Sequence, residues 1–599
     1  MMKAVIEECV QACSIIAVEA SLLASMHIIR LLDSNHIEDG EEALPVMDDT
    51  FFNQCVSCIA NLNGKHNDNN PSLTATLYDY YDAVKPQGYV NVGRTPPMAQ
   101  MLVIIAHQAR LNFVVSTEQT IVKRLSKWLK LKISQHSVQG DYFWTLGHYN
   151  SKSIVGLMLR CCLQDVQVVG IMNQYRRIRE HPIPGDQIAW MQELCDTTKL
   201  SLQITPQSPL QVSEHPEVYL PFLRQMLLDL ETSGEPIRLF SLLPQKKIEP
   251  LYITINSTVL EHLHKYLQSF EQNPLELDEE IISLWDYYFD MRRSTRGNKV
   301  FENIFSTDGM SASVTVSRPK SIPVPAAISA RQSAANAFRV AARVVAVDPG
   351  RNPILSGVVY NQQAMQTLRD DDNTHHKKVK WSKKEHYHEC GFNDRMKTTN
   401  LWMSKSPAVV QFNIDAITPK TSILSAYMDH AEHVLTNLHE RMAFFSSKRF
   451  KRLKFKTHIR TQKAYEKVVK KLKGGEDNTL VVWGNAQFAP AGRGSPAVPT
   501  KTMRKKVGAR VKVIEQDEFR TSQLSCCCHT VLSNLRIGGE RSYHVRVCNN
   551  ALCPRSVWDR NVSAAINILY LFCNYNVHGQ ETPAAFRRVG HDPGMNEEE

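Results

Sequence analysis

The 599-residue chain contains 70 Lys and Arg against 60 Asp and Glu, and 43% of its residues are hydrophobic. This length predicts several domains, and the composition excludes a collagen, a disulfide-rich miniprotein and a wholly disordered chain. Because Glu19 and His27 interrupt the best apolar run, residues 12–32, we expect no membrane span.

Charge is distributed unevenly along the chain. Residues 1–300 carry 26 Lys and Arg against 34 Asp and Glu, a net charge of −8, whereas residues 301–599 carry 44 against 26, a net charge of +18. Such asymmetry predicts that the second half binds a polyanion, most simply nucleic acid. The alternative is a solvated surface of uneven charge.

Helical patterns dominate the first 250 residues. Apolar spacing predicts amphipathic helices over residues 5–32, 51–62 and 120–133. The third interleaves cations with apolar residues, which is typical of a helix that faces nucleic acid. Its candidate phosphate-binding residues are Lys123, Arg124 and Lys127.

Strand signals begin near residue 250. Strands are predicted at 251–255 and 311–316, with a helical stretch between them, and a loop rich in Pro, Ala and Ser predicts a domain boundary near 320–340. An apolar strand, 340–347, then runs into Asp348-Pro349-Gly350 and returns as a hairpin over 353–360. Residues 369–400 are predicted to form a loop and a helix.

The rest of the chain is predicted from similar signals. A helix over 423–445 continues into residues 448–473, which contain 12 Lys and Arg and a single acid. Short strands are predicted at 479–483 and 510–514. The tail from residue 579 is predicted to be disordered.

Asp348 is the first candidate for chemistry. A carboxylate at the end of a buried strand is a favourable ligand for a catalytic Mg²⁺, since the rigid strand holds its oxygen atoms in place. The alternative is an ordinary Asp-Pro-Gly turn.

Cysteines cluster near the C-terminus. Cys526, Cys527 and Cys528 precede His529, and Cys548 and Cys553 follow about 20 residues later, after a predicted hairpin with Gly538-Gly539 at its centre. Two such pairs are typical of a zinc ribbon, in which four ligands surround Zn²⁺. Because position 525 is Ser, the first pair stays open among Cys526 with Cys528, Cys526 with His529, and Cys528 with a poorer partner. The set we predict is Cys526, Cys528, Cys548 and Cys553.

The order of these features resembles a known family. An Asp-Pro-Gly turn after an apolar strand, Glu518-Phe519-Arg520-Thr521-Ser522 before a cysteine knuckle, a second knuckle and a Trp558-Asp559-Arg560 helix occur in this order in Fanzor proteins. These proteins are the eukaryotic relatives of transposon TnpB and of the type V CRISPR effectors. The resemblance covers about residues 300–575.

The resemblance implies a monomeric ribonucleoprotein that uses a guide RNA to cut target DNA in the nucleus, with a two-ion Mg²⁺ site and a structural Zn²⁺. The implied fold class is multidomain α+β, with an RNase H-like (RuvC) nuclease domain, a zinc-ribbon insert, a helical recognition lobe and a small β-barrel wedge domain. The expected domains are a recognition lobe over 1–250, a wedge region over 251–339, the RuvC core over 340–517, the zinc ribbon over 518–557, the last RuvC helix over 558–578 and the tail over 579–599.

The resemblance also implies three metal-binding acids. Asp348 matches the first, and Glu518 matches the acid that Fanzor proteins place before the knuckle, with Glu515 as the alternative. Asn561 occupies the third position, where the family has Asp, and we expect Asp559 not to replace it, since two residues turn a helix by about 200°. We therefore expect strongly impaired cleavage, with guide and DNA binding retained.

The basic helix is predicted to follow nucleic-acid phosphates and to hold a guide–target duplex by its backbone. Phe450, Leu453 and Phe455 are predicted to anchor its apolar side, and residues 448–452 are a candidate nuclear localisation signal. Two other functions remain open: a catalytically inactive RNA-guided DNA-binding protein, and a zinc-ribbon transposon factor that needs no RNA. The predicted phosphate-binding residues are Lys448, Arg449, Lys451, Arg452, Lys454, Lys456 and Arg460.

Overall fold

The chain divides into two structural units in the computed structural model. The first comprises Met1–Pro319 and Trp402–Lys451, and the second comprises Lys320–Leu401 and Arg452–Glu599. The structure describes residues 1–33, 44–60, 71–93, 95–136, 148–164, 166–172, 183, 185–202, 214–270, 284–290, 299–317, 330–361, 377–486, 498–537, 540–553 and 556–588.

Helices and strands are numbered here in chain order. The helices are α1 Met2–Asp33, α2 Asp49–Ala60, α3 Pro71–Val84, α4 Met98–His136, α5 His148–Leu163, α6 Val168–Met172, α7 Gly185–Ser201, α8 Leu220–Thr232, α9 Ser257–Gln268, α10 Leu284–Tyr288, α11 Ala330–Val340, α12 Lys383–Cys390, α13 Phe392–Ser404, α14 Pro407–Ile414, α15 Leu424–Ser446, α16 Lys448–Lys473, α17 Thr500–Gly508 and α18 Arg560–Phe572. The strands are β1 Ile253–Ile255, β2 Val300–Thr307, β3 Ala312–Ser317, β4 Arg343–Pro349, β5 Leu355–Asn361, β6 Lys377–Trp381, β7 Thr479–Gly484, β8 Lys512–Gln516, β9 Leu532–Ile537, β10 Glu540–Cys548 and β11 Val557–Asp559.

Helix α1 is the central helix of the first unit. It is buried on nearly every side, because α2, α3, α4 and α15 pack around it. The predicted amphipathic pattern is therefore wrong for this helix, since a helix that is apolar all round belongs in a core. Even Glu19 is buried, and the hydroxyl groups of Tyr81 and Tyr89 donate hydrogen bonds to its carboxylate.

Among the helices that the structure describes, α1 and α4 are long and apolar enough to cross a membrane by length and composition. Helix α1 meets these criteria even though Glu19 and His27 interrupt its apolar run. In the structure 94% of the apolar window of α1 is buried, against 33% of that of α4. A core helix meets the same criteria, so they are weak evidence for a span.

The first unit also contains a small antiparallel sheet of order β1-β2-β3. Its β2–β3 turn is held by Asp308, whose Oδ1 accepts from the backbone N–H groups of Met310 at 3.0 Å and Ser311 at 2.9 Å. Gly309 takes the left-handed conformation that this turn requires, with φ +71°. Across the described part of the chain the sheet is open, and the predicted β-barrel is not present there, because three strands are too few to close.

The second unit is built on a five-stranded mixed sheet of order β6-β5-β4-β7-β8. Strands β4, β5 and β6 form an antiparallel meander, whereas β7 and β8 lie parallel to β4. The β4–β5 hairpin agrees with the sequence prediction. Strand β6 was not predicted, because exposed lysines alternate with buried Val379 and Trp381 along this edge strand.

Helices cover both faces of this sheet. Val344 and Ala346 of β4 pack against α18, and Val345 and Val347 pack on the opposite face against α16 and α17. A strand buried on both faces has a continuous apolar sequence, which explains the run before Asp348. Asp348 follows the parity of Val344 and Ala346, so its side chain leaves the strand on the α18 face.

The C-terminal part contains the third sheet, which is antiparallel and of order β11-β10-β9. Its β9–β10 pairing agrees with the hairpin predicted after the first knuckle, although Gly538-Gly539 lie outside the described residues.

Two predictions about element boundaries are wrong. Helix α16 does not continue α15, since Ser447 between them is extended, with φ −64° and ψ 149°. The tail is not disordered over residues 579–588, because Phe586 is buried against Leu524 and Leu571. Residues 589–599 lie outside the described part of the chain.

Candidate functional site

Two predicted acids meet at one edge of the mixed sheet. The parallel strands β4, β7 and β8 all end at this edge, where Asp348 is the second-last residue of β4 and Glu518 follows β8 by two residues. The negative charge of Glu518 acts on the Asp348 carboxyl group. Carboxyl edges of parallel strands are common places for binding and catalytic groups.

Gly484, the last residue of β7, makes room for this arrangement. A Cβ atom at this position would collide with Glu518 Oε2 and would lie 3.0 Å from Pro349 Cδ and 3.1 Å from Ile568 Cδ1. The Glu518 carboxylate therefore occupies the space that a side chain on β7 would fill. A side chain at position 484 would therefore displace this carboxylate.

Burial dominates the electrostatics of both acids. It raises the pKa of Asp348 to about 8, with a further contribution from the charge of Glu518, while Arg560 opposes the shift. Burial likewise raises the pKa of Glu518 to about 7, although the N–H of Ala486 and the charge of Arg560 oppose it. Perturbed acids at a sheet edge are typical of a functional site.

The donor atoms suit a hard cation. Glu518 Oε2 is buried and has no hydrogen-bond donor among the residues that the structure describes. Oxygen atoms of this kind are the ligands that Mg²⁺ and similar ions take in proteins, and a cation would relieve the repulsion between the two carboxylates. Asp348 and Glu518 can therefore hold a divalent cation together.

Glu515, the alternative second acid, is placed differently. It lies within β8, is exposed, and forms an ion pair with Arg504. The carboxylate of Glu515 is thus already neutralised, whereas that of Glu518 faces Asp348. The geometry favours Glu518.

The position of the third expected metal-binding acid lies at the start of α18. Asn561 lies in its first turn, is partly buried and contributes no charge. Helical periodicity places Asn561 on the same face as Ala565 and Ile568, which pack against the sheet.

Asp559 precedes the helix, so its exclusion by helical rotation is wrong. Asp559 is the N-cap, with φ −68° and ψ 120°, and its Oδ1 accepts from the N–H groups of Asn561 at 3.0 Å and Val562 at 3.1 Å. A rotation of about 200° along the helix does not apply to a residue outside it. The charge of Asp559 also raises the pKa of Asp348, so a third negative charge lies near the pair.

Sequence reasoning missed a positioning residue on α18. Asn567 is fully buried, and its Nδ2 donates to the carbonyl oxygens of Thr521 at 2.8 Å and Leu524 at 3.0 Å. Ser563, also buried, donates to the same Leu524 oxygen at 3.4 Å. These bonds attach the segment that follows Glu518 to the helix. A lone amide on an otherwise apolar helix face was the available signal.

Three of the predicted zinc ligands converge in space. The sulfur atoms of Cys528, Cys548 and Cys553 lie within 4.8 Å of one another, and those of Cys528 and Cys548 are 3.5 Å apart. Three thiols at this separation can hold a metal ion such as zinc.

Cys526 lies outside this cluster among the described residues, so its assignment as a zinc ligand stays a prediction. Its thiol interacts with Cys527 and Ser563, on the side that faces the apolar core beneath α18. Among the same residues His529 also lies outside the cluster, and its ring centroid is 4.6 Å from that of Tyr570 and 5.3 Å from that of Phe586.

Hydroxyl groups face the remaining side of the three thiols. Ser525 Oγ lies 3.6 Å from the sulfur of Cys553, and Thr530 Oγ1 lies 2.9 Å from that of Cys528. The first knuckle is therefore Ser525-x-x-Cys528, a C-x-x-C knuckle with its first thiol replaced. Burial opposes ionisation of Cys528, but hydrogen bonds from Thr530 and Ser525 lower its pKa to about 6.

Some cations of the basic helix α16 are paired with other groups of the protein. Arg460 donates to Asp394 and to the carbonyl oxygen of His388, both at 2.6 Å, and Lys451 pairs with Glu7 at 2.9 Å. Arg449 lies over the Phe444 ring at 4.5 Å, and Lys454 is partly buried. Exposed cations remain at Lys448, Arg449, Arg452 and Lys456.

The apolar side of α16 was predicted only in part. Phe450 packs against Trp402 at 5.1 Å and Phe444 at 5.2 Å, as an anchor should. Phe455 is 64% exposed and anchors nothing, so that prediction is wrong.

The cations of α4 also differ from expectation. Arg124 is buried, donates to the carbonyl oxygen of Ser241 at 3.2 Å and lies over the Phe240 ring at 4.4 Å. This placement argues against phosphate contact by Arg124, because its guanidinium already contacts Ser241 and Phe240 inside the protein. Lys127 is exposed but donates to the carbonyl oxygen of Arg238, and Lys123 is exposed.

Comparison with solved structures finds a weak structural similarity. No family model matches the sequence, and neither does any curated protein. Among solved structures, the chain is similar to one described as the mini-RNA-guided endonuclease CRISPR-Cas phi3, with 11% sequence identity and a TM-score of 0.29. The match covers 54% of this chain and 56% of that chain, so it spans about half the length of each. The similarity is too distant to assign a family.

Proposed function

We propose that this chain is an RNA-guided DNA endonuclease of the Fanzor and TnpB type, with an RNase H-like (RuvC) domain in its second unit. The observation that carries this proposal is the meeting of Asp348 and Glu518 at the carboxyl edge of a sheet of order β6-β5-β4-β7-β8. An antiparallel meander followed by two strands parallel to the first is the arrangement expected of that domain.

Asp348 and Glu518 are the residues that would hold Mg²⁺ in this proposal. When bound there, Mg²⁺ would activate water and stabilise the leaving oxygen of a phosphodiester. Arg560 lies close enough to lower the pKa of both acids and so favours their ionised form. The cysteine cluster, with a structural Zn²⁺, would hold the segment that follows Glu518.

Nucleic acid would bind along α16. Lys448, Arg452 and Lys456 are exposed and recur every four residues, so they lie along one side of the helix with Phe455 beside them. Cations in such a row can follow the phosphates of a guide RNA–target DNA duplex, and an exposed aromatic ring can stack on a base. A nuclear location follows from this function, with residues 448–452 as the candidate signal.

A second candidate is a catalytically inactive RNA-guided DNA-binding protein, and Asn561 favours it. An amide supplies an oxygen but no charge, and hard cations are bound largely through charge. In this case the RNA and DNA interactions remain while cleavage is lost.

Purification followed by cleavage assays tests these functions. A discrete co-purifying RNA supports guided binding, whereas its absence favours a zinc-ribbon transposon factor that needs no RNA. We expect Asn561→Asp to raise Mg²⁺-dependent cleavage by about tenfold or more, equivalent to about 1.4 kcal/mol of the barrier. Asp348→Ala is the matched negative control. Equal cleavage by the native chain and Asn561→Asp would contradict the role given to position 561.

A further inference from the structure

A cavity of about 330 Å³ in the first unit lies apart from the candidate nuclease residues. Side chains of α1, α14 and α15 and of residues 245–249 line it. A neighbouring cavity of about 430 Å³ shares Ser21, Gln245 and Lys246 with it. Lys246 thus stands at the boundary between the two spaces.

Within the described part of the chain, two cations at this cavity have no acidic partner. Arg441 Nε and Nη1 are buried without a hydrogen-bond acceptor among the described residues, and its guanidinium lies over the Phe412 ring at 3.6 Å. Lys246 forms no ion pair with any described carboxylate, and burial alone lowers the pKa of both cations. An unpaired buried charge is costly, so this arrangement favours an anion.

The other charged groups at the cavity do not neutralise this pair. Glu249 lines the cavity together with Lys247, and its carboxylate lies 3.9 Å from the Lys247 ammonium group. Burial lowers the pKa of His430, which also lines the cavity, so its ring is neutral at pH 7. Among the described lining residues there is therefore an excess of two positive charges, from Lys246 and Arg441.

The segment that carries Lys246 is held rigidly. Gln245 Oε1 accepts from the Tyr427 hydroxyl at 2.8 Å, and its Nε2 donates to Ser25 Oγ at 3.2 Å. These bonds connect the segment to both α15 and α1. The Phe412 ring, which the Arg441 guanidinium contacts, is also stacked with the His433 ring at a centroid distance of 4.4 Å, so its position is fixed. Both cations are thus preorganised, which lowers the entropic cost of binding.

We propose that this cavity binds a phosphomonoester, with Lys246 and Arg441 as its ligands. A phosphomonoester carries about −1.5 to −2 charges at pH 7, which matches the excess of two positive charges, whereas a carboxylate would leave one cation unpaired. The planar fork of Arg441 suits two phosphate oxygens. The group can belong to a free nucleotide or to the phosphorylated end of a nucleic acid. This site is independent of the proposed nuclease function.

Calorimetric titration of the full chain with a nucleoside 5′-monophosphate tests the site. We expect saturable binding in the millimolar range or tighter, and loss of affinity by about tenfold or more in Lys246→Met. Lys247→Gln is the matched control, since Lys247 is exposed and already faces Glu249. Lys246→Met keeps the apolar stem and removes a half-buried charge that has no described acidic partner, so the free variant should melt at a higher temperature than the native chain.

Two oligonucleotides, with and without a 5′-phosphate, identify the source of the group. Preference for the phosphorylated oligonucleotide over the mononucleotide indicates a nucleic-acid end, and the reverse indicates a free nucleotide. Arg441→Gln provides a second loss-of-binding variant if its melting temperature stays close to that of the native chain. Absence of saturable binding to every phosphomonoester, or unchanged affinity in Lys246→Met, would overturn the proposal.

Discussion

Replacing Gly484 by alanine tests the central geometry of the candidate site. The new Cβ atom would collide with Glu518 Oε2, and Pro349 Cδ and Ile568 Cδ1, at 3.0 and 3.1 Å, leave no space on the other sides. Overpacking of this kind costs about 1–3 kcal/mol. For a unit of this size each kcal/mol lowers the melting temperature by about 2–4 °C, so we expect a decrease of several degrees.

A double-mutant cycle shows whether the Glu518 carboxylate is the group that is displaced. Glu518→Ala removes the colliding atoms, so the cost of Gly484→Ala should be smaller in that background by about 1 kcal/mol or more. Gly508→Ala is the matched control, because the nearest atom to its Cβ position is Val513 Cγ2 at an ordinary 3.7 Å. Differential scanning calorimetry, with hydrogen exchange of the β7 amides, reports these changes.

The result that refutes this reasoning is additivity. If Gly484→Ala and Glu518→Ala destabilise independently, or if Gly484→Ala costs no more than Gly508→Ala, the Glu518 carboxylate does not lie over the end of β7. The pairing with Asp348 would then lose its geometric support.

Three further predictions concern the metal, the protons and the packing. Ser525→Cys should complete a four-thiol site and raise zinc affinity by about tenfold or more in chelator competition, whereas Cys526→Ser should leave it unchanged. In cation-free solution, burial raises the pKa of Asp348 from 3.8 to about 8. Its contribution to the free energy of unfolding is therefore fully present below about pH 4 and is lost as the pH rises to 8. Asp348→Asn should remove this loss of stability. Denaturation of both proteins at a series of pH values measures it, and the same pH dependence in both would contradict the prediction. Phe586→Ala should cost about 3–5 kcal/mol, while Phe455→Ala, at an exposed position, should change stability by less than about 0.5 kcal/mol and weaken nucleic-acid binding.

Local signals were strong enough to predict several elements from the sequence. A continuous β-branched run followed by Asp-Pro-Gly predicted the β4–β5 hairpin and placed Asp348 at the end of a buried strand. The helical pattern of residues 423–473 predicted α15 and α16, although not the break at Ser447, and the cysteine spacing predicted a metal cluster near two knuckles. Each of these follows from residues that are neighbours in the chain.

The sequence predicted less well the features that depend on which residues are neighbours in space. The exposed lysines of β6 hid an edge strand, and Arg124 was expected at the surface although a neighbouring segment buries it. Asp559 is an N-cap rather than a helical residue, since the helix begins at Arg560, two residues later than the pattern suggested.

The sequence by itself therefore determined which chemical groups the chain offers: buried-strand carboxylates, thiols in pairs and a row of cations. Only the tertiary structure decided how they combine. It brought Cys528 together with Cys548 and Cys553, placed Glu518 over Gly484, and left Lys246 and Arg441 without an acidic partner in the described part of the chain. The physical reason is that periodicity reports the environment of a side chain along its own element, whereas packing between elements sets which groups share a buried space.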